Sequence, residues 1–387
     1  MIIFLKGVLN VLDYFIDSMA KGVEDAYVLD ISEPTFFQSI VNLEYKIDET
    51  TDVIMFNNVG INLVTTAGEN YWELKKVKLH NIYVDAPIWY RRELEQNLQC
   101  MQVITVDRYH KEFINAYFPN CRSVRFLPHG GVKPTDREEI AFENRKIEVL
   151  YVGSRQSSKW EDRMISLSDS DRELFGMIKD ILIKYPYLTL EKVYDLCMDE
   201  MGIRLQREAA LDVINALYVE VLRDVRGYYQ GKVIEALAGG GVHIDIYNSY
   251  GWGEIEDKYP NYVHVHEAVE PDECIRLMCE SKITLNILPW FKYGAHERIY
   301  NAMLNGAVCV SDTSEYLMKH FENGKNIVFY ELDKLGDLVK NVRMVLDNPG
   351  FARHIIENQK NKVKNSTWRD RLDNILEQKF EEGVDFI

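Results

Sequence analysis

The triplet His296-Glu297-Arg298 is where residue type and spacing first suggest chemistry. It lies in LNILPWFKYGAHERIYNAMLNGAVCVSDTSEYL, between a strand run ending near Pro289 and a helical pattern that reaches Gly306. A helix start presents N–H groups with no intrahelical partner and a partial positive charge. Arg298 adds a planar fork matched to phosphate oxygens, each charge-assisted bond contributing roughly 1.5–3 kcal/mol. His296 could donate to the same anion. Taken together, the residues form a cradle for a diphosphate at a sheet edge. They also fit a solvated helix start in which Glu297 favours the dipole, and spacing alone does not separate the two.

The elements around this segment alternate. In the first ~130 residues the strand runs IIFL, AYVLD, DVIMFNN, NIYVD, QVITVD and VRFLP are separated by helical patterns such as Val8–Ala20, Ile88–Gln96 and Tyr109–Phe118. Such alternation implies parallel strands with right-handed crossovers, a doubly wound sheet that meets ligands at the carboxyl ends of its strands. LPHGGVKPTDREEIAFENRK, with two Gly, two Pro and a charge run, reads as a connection between domains. IEVLYVG then opens a second series. Residues ~157–222 are long, charged and strand-poor, the pattern of a helical insertion. From Gly227 the alternation resumes with helix Gly231–Ala238, strands VHIDIY and YVHVH, helix Pro271–Ser281, strand ITLNIL, helix Arg298–Leu304, strand AVCVS, helix Tyr316–Phe321 and strand NIVFY. The expected domains are 1–130, a linker 131–146, 147–364 with the insertion, and a C-terminal helix in 365–387 that crosses back to the first domain. Two such domains are expected to face a cleft suited to two substrates.

Composition narrows the function. A chain of 387 residues fits two domains. The net charge of −16 argues against nucleic acid as a partner, because phosphate backbones require a basic face. The apolar N-terminus is interrupted by Lys6, Asn10, Asp13 and Asp17, and reads as strand, turn and helix rather than a signal peptide. No run reaches the roughly 18 apolar residues of a membrane span. Six cysteines without a CxxC pair suit a reducing compartment, so a cytoplasmic location is expected.

The stretch Arg298, Tyr300, Ala302, Gly306, Ala307, Val308–Val310, Ser311 and Asp312 resembles the signature of the group 1 glycosyltransferase superfamily, in the branch of spore-maturation CgeB-like proteins. Gly324-Lys325, the strand ending in Tyr330, Leu346–Pro349 and TWRDR continue the likeness, which covers about 228–376. It implies the α/β fold called GT-B: two Rossmann-like doubly wound domains facing a cleft, here with a helical insertion in the C-terminal domain. It implies transfer of a sugar from a nucleotide-sugar, with UDP the expected nucleotide, to a glycan or protein acceptor, with no cofactor and no metal. By the same likeness Gly153, Ser154 and Arg155 approach the donor, and Tyr247, Asn248 and Trp252 form the next strand-end element, Asn248 standing for a glycine. The loop at Glu267, Ala268 and Val269 reads the base. The pattern departs from the paired glutamates of many retaining members: Glu297 is present, Asn305 stands where the second is expected, and Asn301 stands where branch members carry Glu. Retention and inversion therefore both remain open. Residues 153–155 also fit an ordinary strand-ending turn, and Trp252 also fits a core position.

An inverting transfer needs a base for the acceptor hydroxyl. Asp85, at a strand end before Pro87, is the first candidate; it also fits an N-cap for the following helix. His129, in the hinge LPHGG, is the second, a cleft-facing imidazole. Gly7, after the first strand, is expected to let the acceptor approach. The pair Asp169 and Asp171 forms a DxD, but inside the insertion, and His264 and His266 share a strand face with no third ligand. A GT-B nucleotide-sugar epimerase, or a non-catalytic binding module whose insertion recruits a partner, would share the same cradle.

Overall fold

The computed structural model describes residues 1–133, 139–156, 165, 167–289 and 291–380. Parts of the expected linker (134–138) and insertion (157–164 and 166) lie outside them. The chain divides into two compact units: Met1–Val132 with Glu270–Asp272 and everything from Asn365 on, and Lys133–Val269 with Glu273–Lys364.

The first unit is built on β1 (Ile2–Lys6), β2 (Ala26–Asp30), β3 (Asp52–Phe56), β4 (Lys78–Tyr83), β5 (Met101–Thr105) and β6 (Val124–Phe126). They pair in parallel in the order β2-β1-β3-β4-β5-β6. The central strands are buried on both faces by helices: Val53 to Phe56 are all buried, as are Leu79 to Tyr83, the polar His80 and Asn81 among them. The order reverses between β1 and β3, and the loops leaving these two strands carry Gly7 and the left-handed pair Asn57 and Asn58. The pattern assigned to a helix at Ile88–Gln96 is a 3-10 turn, Pro87–Tyr90, followed by the helix Arg91–Gln96.

This unit is completed by the end of the chain. The helix Trp368–Leu376 starts in a capping box, in which Asp370 N–H donates to Thr367 Oγ1 and Thr367 N–H donates to Asp370 Oδ2. Trp368, 1% exposed, packs its ring 5.0 Å from those of Phe15 and Phe56. Its backbone N–H donates to the Gly131 carbonyl at 3.0 Å. Gly130 permits this approach, since a Cβ there would lie 2.6 Å from Trp368 N. Arg371, fully buried, donates through Nε to the His129 carbonyl at 3.1 Å.

The second unit carries β7 (Ile147–Val152), β8 (Ile244–Tyr247), β9 (Val263–His266), β10 (Ser281–Asn286), β11 (Val308–Asp312) and β12 (Val328–Tyr330). All pairs are parallel, in the order β12-β11-β10-β7-β8-β9. Counted within the unit this is the doubly wound Rossmann order, and its topological switch point lies between β7 and β10. Between β7 and β8 come the insertion helices Asp169–Lys184, Leu190–Glu200 and Arg207–Leu217, the first two capped by Ser168 and Thr189. The third continues through a π-helical turn, Tyr218–Leu222, into the helix Arg223–Gly239. The sequence reading starts that helix only at Gly231, because Gly227 and Gly231 weaken the helical signal. Both are needed for close approach: a Cβ at Gly227 would lie 1.9 Å from the Gln156 carbonyl oxygen, and one at Gly231 would lie 3.0 Å from the Arg155 guanidinium. No helix among the described residues is long and apolar enough to cross a membrane.

Trp368→Ala is expected to lower the unfolding free energy by about 3–5 kcal/mol, the range for emptying a large aromatic site. Gly130→Ala should also destabilise, by forcing the last helix off its seat. Urea unfolding of the two variants beside wild type checks both.

Candidate functional site

Arg298 is the residue around which the candidate site is built. Its backbone belongs to the helix Glu297–Leu304, which begins beside the ends of β7 and β10. One guanidinium nitrogen donates to the Val152 carbonyl at the end of β7 (2.9 Å), the other to Asn286 Oδ1 at the end of β10 (2.9 Å). The guanidinium carbon lies 5.5 Å from the centre of the Tyr151 ring. The cation therefore spans the two strands that flank the switch point, half-buried. No carboxylate pairs with it among the described residues, and two of its five N–H donors are engaged there. This is neither a solvated helix start nor a surface ion pair.

His296 is the N-cap of that helix: its Nδ1 lies 3.3 Å from the Arg298 N–H and 2.6 Å from Glu297 Oε2. In any one tautomer Nδ1 can serve only one of these two. Burial lowers the imidazole pKa below its ordinary value, with Glu297 opposing, so the ring is neutral at pH 7. His296, Glu297 and Arg298 thus share one corner, with first-turn N–H groups beside them. Asn301, one turn on, is 7% exposed, and its carbonyl accepts from Asn305 Nδ2 at 2.8 Å. Asn305 closes the far end of the helix, away from the corner.

The end of β7 supplies the neighbouring wall. Gly153 has φ +151, its N–H donates to the Tyr247 carbonyl at 3.0 Å, and its own carbonyl accepts from Trp252 Nε1 at 2.9 Å. Trp252 is fully buried and edge-on to Tyr151, so it supports this loop from the core, the second of the two readings the sequence allowed it. The Ser154 carbonyl accepts from Gln230 Nε2 at 3.1 Å. Arg155 turns away and donates to the Gly227 carbonyl at 3.2 Å, lying in the space left by Gly231. Asn248 has φ +107, a conformation that favours glycine, where the likeness called for one. Tyr247 stacks on His266 at 4.4 Å, and His266 pairs with Asp245 at 2.8 Å, while His264 stacks on His243 at 6.4 Å. In the following loop Glu267 accepts from Ser249 Oγ at 3.2 Å, Glu267 and Ala268 are exposed, and Val269 is half-buried.

The remaining candidates lie in the first unit. Asp85 Oδ2 accepts from Asn57 Nδ2 at 2.8 Å and from the Tyr90 hydroxyl at 3.2 Å, half-buried beside the loop leaving β3. It does not cap the turn that follows: Ala86 holds that position, with no side-chain cap bond. Gly7 has φ +112, and a Cβ there would lie 2.0 Å from Asp30 Oδ1, so the room it leaves is filled by the chain's own carboxylate. His129 is 2% exposed with its ring 5.6 Å from that of Trp368; it belongs to the packing of the C-terminal helix and presents no open imidazole. Sequence reasoning missed Asn286, Tyr151 and Asn57. A polar residue ending the apolar run ITLN was the available signal for Asn286.

Residues 223–377 match the model of a family described as glycosyl transferase-like. A search of curated proteins finds no match. Among solved structures, sucrose-phosphate synthase from Thermosynechococcus elongatus is 8% identical over 97% of each chain, with a TM-score of 0.55. A glycosyltransferase from Rickettsia africae is 11% identical over 97% of each chain, with a TM-score of 0.52. S. aureus TarM is 12% identical and is matched over 87% of this chain but only 57% of its own length, with a TM-score of 0.49. The two-domain α/β architecture is that of GT-B glycosyltransferase structures.

Because His296 is held neutral, its contribution to stability is complete above pH 6.5 and is lost as pH falls from there through the lower folded-state pKa. His296→Asn keeps a cap without the titration. Melts at pH 7.5 and pH 5.0 should show wild type losing ground to this variant on acidification.

Proposed function

We propose that this protein transfers a sugar from a nucleotide-sugar, with UDP as the nucleotide, to a hydroxyl of a glycan or protein acceptor, and that it does so without a metal. One observation carries the proposal: a half-buried arginine with no carboxylate partner among the described residues stands beside a helix N-terminus at the switch point of a Rossmann sheet. Dinucleotides and nucleotides bind such sheets at that place, and the first-turn N–H groups together with the guanidinium suit a pyrophosphate. The family match over 223–377 supports the same reading, since it includes this corner. The likeness of Arg298–Asp312 to the CgeB-like branch belongs to the proposal.

In the transfer, charge builds on the leaving diphosphate as the glycosidic bond breaks. Arg298 and the helix start oppose that charge with dipoles already in place, which lowers the barrier more than groups that must reorient. The loop at Gly153 contributes backbone, since Arg155 is occupied elsewhere. Tyr247, Asn248 and the Glu267–Val269 loop, at the ends of β8 and β9, are assigned to the nucleoside. If the transfer inverts, Asp85 is assigned as the base: Asn57 and Tyr90 both donate to Oδ2 and orient the carboxylate.

UDP is expected to raise the melting temperature, and Arg298→Met to weaken its binding by about 1.5–3 kcal/mol, the worth of charge-assisted bonds. If UDP, GDP, dTDP and CDP all leave wild-type melting unchanged, the donor site is misassigned. With a donor and acceptor in hand, Asp85→Asn should lower kcat about 10²–10⁴-fold if the transfer inverts, and EDTA should leave the rate unaffected. An epimerised donor formed without acceptor would replace transfer by epimerisation.

A further inference from the structure

Between β10 and the His296 corner, Leu288, Lys292 and Gly294 are held by residues at and just after the end of the neighbouring strand, β11. Leu288 N–H donates to Asp312 Oδ1 at 2.7 Å. The Lys292 ammonium donates to the Leu288 carbonyl at 3.2 Å and lies 3.7 Å from Asp312 Oδ2, the two side chains being 4% and 1% exposed. Ser314 Oγ donates to the Gly294 carbonyl at 2.7 Å, and Glu315 N–H to the Lys292 carbonyl at 2.8 Å. Burial pushes the Asp312 carboxyl up to about 6, with Lys292 and the Leu288 N–H opposing. An ion pair this deep seldom adds stability over apolar residues of the same size, so its use here points to fixing a conformation. Apart from the Lys292–Asp312 ion pair, each of these bonds ends on the backbone of Leu288, Lys292 or Gly294, upstream of His296.

We propose that Lys292 and Asp312 are positioning residues for the diphosphate site: with Ser314 they hold the backbone at Leu288, Lys292 and Gly294 so that the His296–Arg298 corner is formed before ligand arrives. The assignment rests on the donor-site reading above. A segment ordered in advance spares the ligand the entropy of ordering it, so the pair acts on affinity through the loop and touches no substrate.

The test uses the full chain and UDP. Asp312→Asn and Lys292→Met each leave one partner unmatched, so both are expected to melt lower. The double variant Lys292→Met/Asp312→Asn carries no unmatched charge and should recover much of the melting temperature. All three should show faster amide exchange in peptides covering 287–298 without nucleotide, and about tenfold weaker UDP binding by calorimetry, with donor KM raised more than kcat is lowered. A purely structural role would let affinity recover along with stability in the double variant. A folded double variant with wild-type exchange in 287–298 and wild-type UDP affinity overturns the proposal alone. Wild-type protein that binds none of the four nucleoside diphosphates overturns the donor-site reading, and this proposal with it.

Discussion

The bonds from Arg298 to the Val152 carbonyl and to Asn286 tie together three things that the sequence keeps far apart: the end of β7, the end of β10 and the start of the helix Glu297–Leu304. In a parallel sheet the strands on either side of a switch point send their connections to opposite faces, which leaves a gap at their carboxyl ends. Filling it with an aliphatic side chain would leave the Val152 carbonyl without this bond. A guanidinium satisfies both strand ends and still has donors to spare. The Gly153 loop, the buried Trp252 beneath it and the segment anchored by Asp312 are arranged around that one cation.

The same need, backbone polar groups satisfied where chains meet closely, explains the glycines that matter. Gly227, Gly130 and Gly7 each sit where another group occupies the place of a Cβ: a carbonyl, the backbone of Trp368 and the Asp30 carboxylate. At Gly7 and Gly130 that neighbour lies in the first unit.

Much of the fold was legible because parallel strands covered on both faces are continuous apolar runs, and every strand lies within or beside a run named from the sequence. The helix at Arg223 was not, since two glycines required by packing obscured it. At the site, His296-Glu297-Arg298 could be found from a strand, a loop and a helix start in succession. The burial of Trp252 and His129 could not be read from the sequence: a large or polar residue beside a strand end reads the same whether it faces solvent or the core, and only tertiary packing decides. Lys292 was passed over because a lysine in a loop is ordinarily exposed, and nothing local signals that an aspartate twenty residues later will bury it.

The seat of Trp368 among Phe15, Phe56 and His129 also bears on biosynthesis. Synthesis runs from the amino end, yet the first unit lacks its final helix until the ribosome has made residues that follow the whole second sheet. Until then the aromatic seat of Phe15, Phe56 and His129 has no Trp368 to fill it.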